Sequence, residues 1–318
     1  MKKLKAAVVG VGSMGQHHAR IYSEIKEVDL VGVCDLDVKR GSEIARKHRT
    51  NYFRSYKKLL GDFPDLSFVS VVVPTEFHEK VACDLLGSGV NVLLEKPIAD
   101  NIPAAKRIIE VAEKNKVKLA IGHVERHNPA VGKLKQLIDR GKLGEIISVI
   151  ARRVGGFPSQ IGKANIILDL AVHDVDIINY LLNEIPEKVF IHKEKFHILT
   201  QEDSGEIFLV YRKAGGFVQI NWVTPVKIRE LSVTGTKGYA ELNYVTQDLV
   251  FHKARVEKKA TDFAEFVKLV EPKVERIGVV MEEPLKLEIL DFIESVKKNK
   301  EPLVNGKEAL KSLRVCLS

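Results

Sequence analysis

Three groups of residues in this chain combine types and spacings that chemistry uses. The first is Gly10-Val11-Gly12-Ser13-Met14-Gly15, a G-x-G-x-x-G between a short apolar run and a helical pattern. In such a turn the first glycine permits the tight bend and the second lets backbone approach a pyrophosphate. The third lets helix and strand pack closely, and the helix N-terminus stabilises the anion. Asp35 ends the next apolar run, twenty residues after Gly15, where an acidic residue accepts hydrogen bonds from an adenosine ribose. A dinucleotide site is therefore expected at Gly10, Gly12, Ser13, Met14, Gly15 and Asp35, with NAD as cofactor. Asp35 and Asp37 repel a 2′-phosphate while Arg40 attracts one, so NADP is the weaker expectation.

The second group sits at two further strand ends, Pro74-Thr75-Glu76-Phe77-His78 and Glu95-Lys96-Pro97. Open α/β sheets place their ligands at the carboxyl ends of strands. Pro74, Thr75, His78, Glu95 and Lys96 join the expected cofactor site on that ground. By default a lysine before a proline is an ordinary loop residue, so position alone makes Lys96 a catalytic candidate.

The third group is Asp169, His173 and Asp176, at i, i+4 and i+7 of the apolar segment 165–182. That spacing puts all three on one helical face. An ionisable stripe on an otherwise apolar, buried helix is expected to line a polar cleft. A buried Asp–His pair that only anchors the helix is the competing reading. A lone histidine among carboxylates, without HExxH, is a poor zinc set, and no metal is expected.

The elements that position these groups follow from patterning. Of the 318 residues 45% are hydrophobic and 29% charged, which excludes a disordered or low-complexity chain and points to two domains. Apolar β-branched runs at 4–10, 29–34, 67–73, 90–94 and 117–121 alternate with amphipathic stretches, the mark of βαβ units around a parallel sheet. After about residue 145 a long helix is followed by strand-like segments at 187–192, 205–212, 216–223, 228–234 and 238–244. Gly215-Gly216 and Gly235-Thr236-Lys237-Gly238 supply the turns. The fold class is thus α/β: a doubly wound parallel sheet over 1–122, then an α+β domain with a mostly antiparallel sheet over 123–318. Residues 245–280 read as loops, and amphipathic helices follow at 282–299 and from Lys307, the last still running at Ser318. These C-terminal helices are candidates to pack back on the first domain. Segment 205–211 is apolar on both faces, so its uncovered side predicts a homodimer or homotetramer through that sheet.

The formal charge of +8 reads chiefly as a dispersed Lys/Glu surface. No arginine-rich tail or aromatic-basic signature supports a nucleic-acid partner. No apolar run reaches the ~20 residues of a membrane span, and no signal peptide precedes the first strand. Three scattered cysteines suit a reduced, cytoplasmic protein.

GVGSMG, PTEFH, EKP and D-x-x-x-H-D-x-D, in this order over nearly the whole chain, resemble the glucose-fructose oxidoreductase/inositol dehydrogenase family. The resemblance implies a Rossmann domain followed by an antiparallel α/β domain. It also implies NAD(P)-dependent oxidation or reduction of a sugar or cyclitol hydroxyl. The family's catalytic lysine falls on Lys96, and its helix-borne aspartate and histidine on Asp169 and His173. Thr75 and Ala171 stand where many members carry Asn and Gly; neither departure touches a proton-transfer group.

Gly122-His123-Val124-Glu125-Arg126-His127-Asn128-Pro129-Ala130 is similar to the GHxERFNP segment of UDP-N-acetylglucosamine 3-dehydrogenases and related nucleotide-sugar oxidoreductases, with His127 in place of the phenylalanine. Asn128 caps a helix with Pro129 in its first turn. Arg126, just before it, suits a substrate anion, although a surface arginine in a capping segment is equally consistent. Arg152 or Arg153 offers a second cation; strand alternation lets only one face the site. The substrate residues expected are His123, Arg126, Asn128, Arg152 and His173.

In the resulting mechanism His173 takes the hydroxyl proton, since a histidine's ordinary pKa of ~6.5 suits reversible transfer near neutrality. Lys96 supplies positive charge to the same oxygen and Asp169 orients the pair; the family leaves the Lys/His division open. Three substrate readings remain: a nucleotide sugar such as UDP-N-acetylglucosamine, a free sugar or inositol, or none, as a sensor. Intact Lys96, Asp169 and His173 argue against the last.

Overall fold

The computed structural model describes residues 3–157, 165–197, 200–254 and 273–318. The chain divides into two units, Met1–Val124 with Glu283–Leu317, and Glu125–Glu282. The boundary expected after residue 122 falls two residues later, and the segment from Glu283, assigned by range to the second domain, belongs with the first.

In the first unit β1 (Leu4–Val9), β2 (Val28–Cys34), β3 (Asn51–Phe53), β4 (Phe68–Val71), β5 (Asn91–Glu95) and β6 (Leu119–Gly122) form one parallel sheet, ordered β3-β2-β1-β4-β5-β6. Five of these strands were predicted. The sixth, β3, has only three residues and no apolar run to betray it. Helices α1 (Gly15–Glu24), α2 (Val38–Lys47), α3 (Tyr56–Asp62), α4 (His78–Gly87) and α5 (Ile102–Asn115) link the strands. The strand order reverses between β1 and β4, whose carboxyl ends stay paired through the Val72 N–H to the Val9 carbonyl at 2.8 Å, and such a reversal is where open α/β sheets bind ligands.

The second unit holds α6 (Pro129–Asp139), β7 (Ile146–Val154), a π-helical turn Ile167–Ala171 running into α7 (Val172–Leu182), and seven further strands. These are β8 (Lys188–Glu194), β9 (Ser204–Val210), β10 (Gly215–Asn221), β11 (Ile228–Gly235), β12 (Gly238–Asn243), β13 (Leu249–Lys253) and β14 (Lys273–Arg276). The eight strands run β14-β13-β12-β11-β7-β10-β9-β8, and only β7 and β10 pair in parallel. Gly235 pairs with Gly238 across the two-residue turn that the glycines signalled. β13 and β14 correct the reading of 245–280 as loop. Leu249 and Phe251 bury alternate positions of β13, whereas β14 is a charged edge strand with no apolar periodicity. The middle of that stretch, 255–272, lies outside the described residues.

One face of this sheet packs on α7 through Val149, Ala151, Val218 and Ile220, all buried. From the opposite face Ile150, Phe190 and Phe208 project into solvent. The C-terminal helices are α8 (Pro284–Lys298) and α9 (Gly306–Cys316), the latter ending two residues short of Ser318. Leu285, Ile289, Phe292 and Ile293 of α8 join Tyr22, Phe68 and Leu93 in the first unit's core. Among the described residues no helix is long and apolar enough to cross a membrane.

Candidate functional site

The glycine turn is dictated by contact. Gly10 has φ +88°, and a Cβ there would lie 2.4 Å from the Val72 carbonyl oxygen. At Gly15 a Cβ would collide with the Gly10 carbonyl, whereas at Gly12 nothing lies within 4 Å and the backbone is open to an incoming group. A phosphate approaching Gly12 meets bare backbone at the start of α1.

Asp35 closes the β2 side of the turn. One carboxylate oxygen accepts from the Val11 backbone N–H at 2.9 Å and the other from that of Asp37 at 2.9 Å. The Arg40 fork donates to both, at 3.2 and 2.8 Å. Burial pushes the Asp35 carboxyl up, but Arg40 and the two N–H donors outweigh it and hold the group below its ordinary value.

A cleft of about 840 Å³ joins these features to the next strand ends. Of the expected cofactor residues Gly10, Gly12, Met14, Asp35, Pro74, Glu95 and Lys96 line it; Ser13, Gly15, Thr75 and His78 do not. His78 is a correction. It is buried, with ring nitrogens 2.9 Å from both the Pro97 and Val73 carbonyl oxygens, so it braces two strand ends and presents nothing to a ligand. Arg54, Ser55, Tyr56 and Lys80 also line the cleft and were missed. The first three follow β3, so recognising that short strand would have flagged them.

Glu95 and Lys96 end β5 on a cis Lys96–Pro97 peptide. One Glu95 oxygen accepts from His18 Nε2 at 3.1 Å and the other from the Lys96 backbone N–H at 3.2 Å. His18 Nδ1 meets Ser70 Oγ at 3.0 Å, and Tyr22 Oη meets the same oxygen at 2.6 Å. Burial raises the Glu95 pKa, yet His18 and Lys96 outweigh it and keep the group anionic. Glycine spacing gave no hint of His18, which lies inside α1 and faces the sheet.

In the second unit the Asn165 side chain accepts from Ile167 N at 2.9 Å where the π turn begins. Asp169 lies within that turn and His173 in the first turn of α7, both half-buried. The wider π turn offsets the i, i+4 geometry expected for them. Asp176 departs from the expected stripe: it is fully buried, and Arg126 donates to both its oxygens at 2.7 and 2.8 Å.

Arg126 is therefore corrected as a candidate for a substrate anion. It is 5% exposed, forked onto Asp176, and stacked 4.9 Å over the Tyr180 ring. Asn128 is a structural cap: its oxygen accepts from Ala130 N at 3.1 Å and its amide donates to Tyr244 O at 3.0 Å. Arg153 faces inward onto Asp174 at 2.7 Å and Glu125 at 3.2 Å. Burial works against its charge, and these two carboxylates more than restore it. Burial also raises the Glu125 carboxyl despite Arg153. Arg152, one residue earlier, is exposed on the opposite sheet face, donating to Gln219 at 3.3 Å across from Glu230. His123 is buried just past β6, in the first unit.

A doubly wound parallel sheet with an open glycine turn, an acid at the second strand end and a cleft reaching Glu95 and Lys96 defines a dinucleotide-binding protein. The residues fit the cofactor that such a turn serves. The chain belongs to the Gfo/Idh/MocA oxidoreductases. The model described as "Oxidoreductase family, NAD-binding Rossmann fold" matches residues 4–123, and that of the GFO/IDH/MocA C-terminal domain matches 131–241.

Among curated relatives, UDP-N-acetylglucosamine 3-dehydrogenase of Acidithiobacillus ferrooxidans is 33% identical over 189 residues, 59% of this chain and 58% of that protein. The match thus spans little more than half of that relative's length. Inositol 2-dehydrogenase of Salmonella typhimurium is 29% identical over 266 residues, 79% of this chain and 77% of that one. The Acidithiobacillus structure superposes with a TM-score of 0.87 at 24% identity, covering 100% of this chain and 96% of the other. An Agrobacterium radiobacter oxidoreductase in complex with NAD+, L-tartaric acid and magnesium gives 0.86 at 17%, covering 99% and 95%. At these identities the likeness establishes the fold.

Removing one partner of a buried ion pair typically costs ~3–5 kcal/mol, whereas replacing both by apolar groups of similar volume is often neutral. Asp176→Ala is expected to lose that much stability in denaturant unfolding, and Arg126→Met with Asp176→Leu to recover most of it. A near-neutral Asp176→Ala would show that Arg126 does not depend on the pair.

Proposed function

We propose that this oxidoreductase is an NAD-dependent dehydrogenase of a sugar hydroxyl, and that its substrate is a nucleotide sugar, the 3-hydroxyl of UDP-N-acetylglucosamine being the best single candidate. The observation that carries the hydride-transfer part is the cleft that joins the open Gly12 backbone and Asp35 to Glu95 and Lys96. The substrate part is supported by the 33% identical relative, whose match covers 59% of this chain.

In this reading Gly12, Met14 and the start of α1 bind the pyrophosphate, and Asp35 receives the adenosine ribose. Asp35 repels a 2′-phosphate and already occupies Arg40, which favours NAD over NADP. The bound cofactor accepts a hydride from the alcohol carbon or returns it. His173 takes the hydroxyl proton, Lys96 holds the oxygen with positive charge, and Asp169 orients them. Three free cysteines suit a reducing, cytoplasmic setting.

A free sugar or inositol is the second reading. It is favoured by the inositol dehydrogenase match over 79% of the chain and by the engagement of Arg126 with Asp176.

Lys96→Met and His173→Ala should each lower turnover by at least ~10²-fold with folding intact; near-normal turnover in both removes the assignment. In thermal melts, ligands that bind only the folded state raise the midpoint by mass action. NAD should do so more than NADP, and UDP or UDP-N-acetylglucosamine should add to it. Stabilisation by NAD and inositol but never by UDP transfers the substrate reading to cyclitols.

We also infer self-association through the open sheet face, because Phe208 is 53% exposed on the same face as Phe190 and Ile150. Sedimentation should give a dimer or tetramer mass that Phe208→Glu reduces; a monomeric wild type would end that reading.

A further inference from the structure

Glu288 on α8 is the most deeply placed carboxyl of the first unit that the chemistry above leaves unused. Its side chain is 2% exposed, and neither of its oxygens has a hydrogen-bond partner among the described residues. Helix α8 packs against α1 and β5, with Leu285, Ile289 and Phe292 in the core beside Tyr22 and Phe68. The titratable groups around Glu288 are Tyr22 of α1, Glu95 of β5 and, on its own helix, Asp291; His18 of α1 meets Glu95.

Two carboxyls in electrostatic reach inside a core do not both ionise. The partners decide which one does. Glu95 has two donors, His18 Nε2 and the Lys96 N–H, so the anion is stabilised there. Glu288 has none and sits among apolar side chains, where a neutral acid is tolerated and a carboxylate is not.

We propose that Glu288 and Glu95 form a buried carboxyl pair holding one negative charge and one proton, the proton on Glu288, and that Glu288 is thereby a positioning residue for the strand end that bears Lys96. When Glu288 ionises, a second charge appears behind Glu95. Repulsion is relieved by shifting Glu95 off His18, and Lys96 follows it in the chain. Cofactor affinity therefore falls on the alkaline side. This coupling rests on the reading of the cleft as the cofactor site; the shared proton does not.

The direction of the titration supports the assignment, since burial first, then Glu95 and Asp291, push the Glu288 carboxyl well above its ordinary value. An acid raised in the folded state contributes stability that is complete below the unfolded value of ~4.3 and is lost as pH rises through the folded one.

The test compares wild type with Glu288→Gln, neutral at every pH, and with Glu288→Met should the amide fail to fold. Ligand-free melting midpoints are measured from acid to alkaline pH, and NAD dissociation constants over the folded range. The midpoint of the variant should gain on wild type steadily as pH rises. The wild-type dissociation constant should climb on the alkaline side by up to about tenfold per pH unit, the limit for one coupled proton, while the variant stays nearly flat. Parallel midpoint curves overturn the shared proton. Diverging midpoints with identical NAD profiles overturn the positioning role. Diverging midpoints with no NAD binding in either chain overturn the cofactor reading and the coupling with it, and leave the carboxyl pair standing.

Discussion

An ion inside a protein is tolerated only beside an opposite charge or a set of donors, and both units are arranged around meeting that condition. In the second unit it determines how α7 lies. Asp174 and Asp176 are two residues apart, so at 3.6 residues per turn they leave the helix about 200° apart. One is held by Arg153 of β7 and the other by Arg126, before α6. A helix gripped from two sides cannot roll. The directions in which Asp169 and His173 leave it are therefore set by these two ion pairs.

The first unit meets the same condition with neutral donors as well as charges. Asp35 collects two backbone N–H groups and the Arg40 fork, and Glu95 collects His18 and the Lys96 N–H. Both carboxylates terminate strands and line one cleft, so the negative ends of the site are fixed by the fold before any ligand arrives. Pre-ordered charge of this kind costs no reorganisation on binding. The glycines do the complementary work: two are excluded from carrying a side chain by backbone contact, and the third leaves the approach open.

Much of this was legible in the sequence because it rests on local pattern. The alternation of apolar runs and amphipathic stretches gave five of six strands of the first sheet, and the glycines gave the β11–β12 turn. What escaped depends on partners far away in the chain. His18 and Glu288 read as an ordinary helical histidine and a glutamate on an amphipathic helix; only packing of α1, β5 and α8 brings them to Glu95. His78 read as a ligand because of its strand-end position, yet two carbonyls claim its ring. β3 and β14 are too short, or too charged, to leave a periodic signal.

Arg126 shows what a motif match does and does not carry. Its segment resembles that of nucleotide-sugar enzymes, and a guanidinium beside a helix start is a reasonable place to hold a phosphate. Here both arms of the fork go to Asp176 and the plane rests on Tyr180, so the side chain is consumed by the scaffold. A buried arginine pairs with its carboxylate whatever the substrate is. Similarity at such a position does not by itself carry a shared substrate. A substrate has to be argued from residues that a ligand can reach, as it can Lys96, Arg54 and Lys80 in the first unit's cleft.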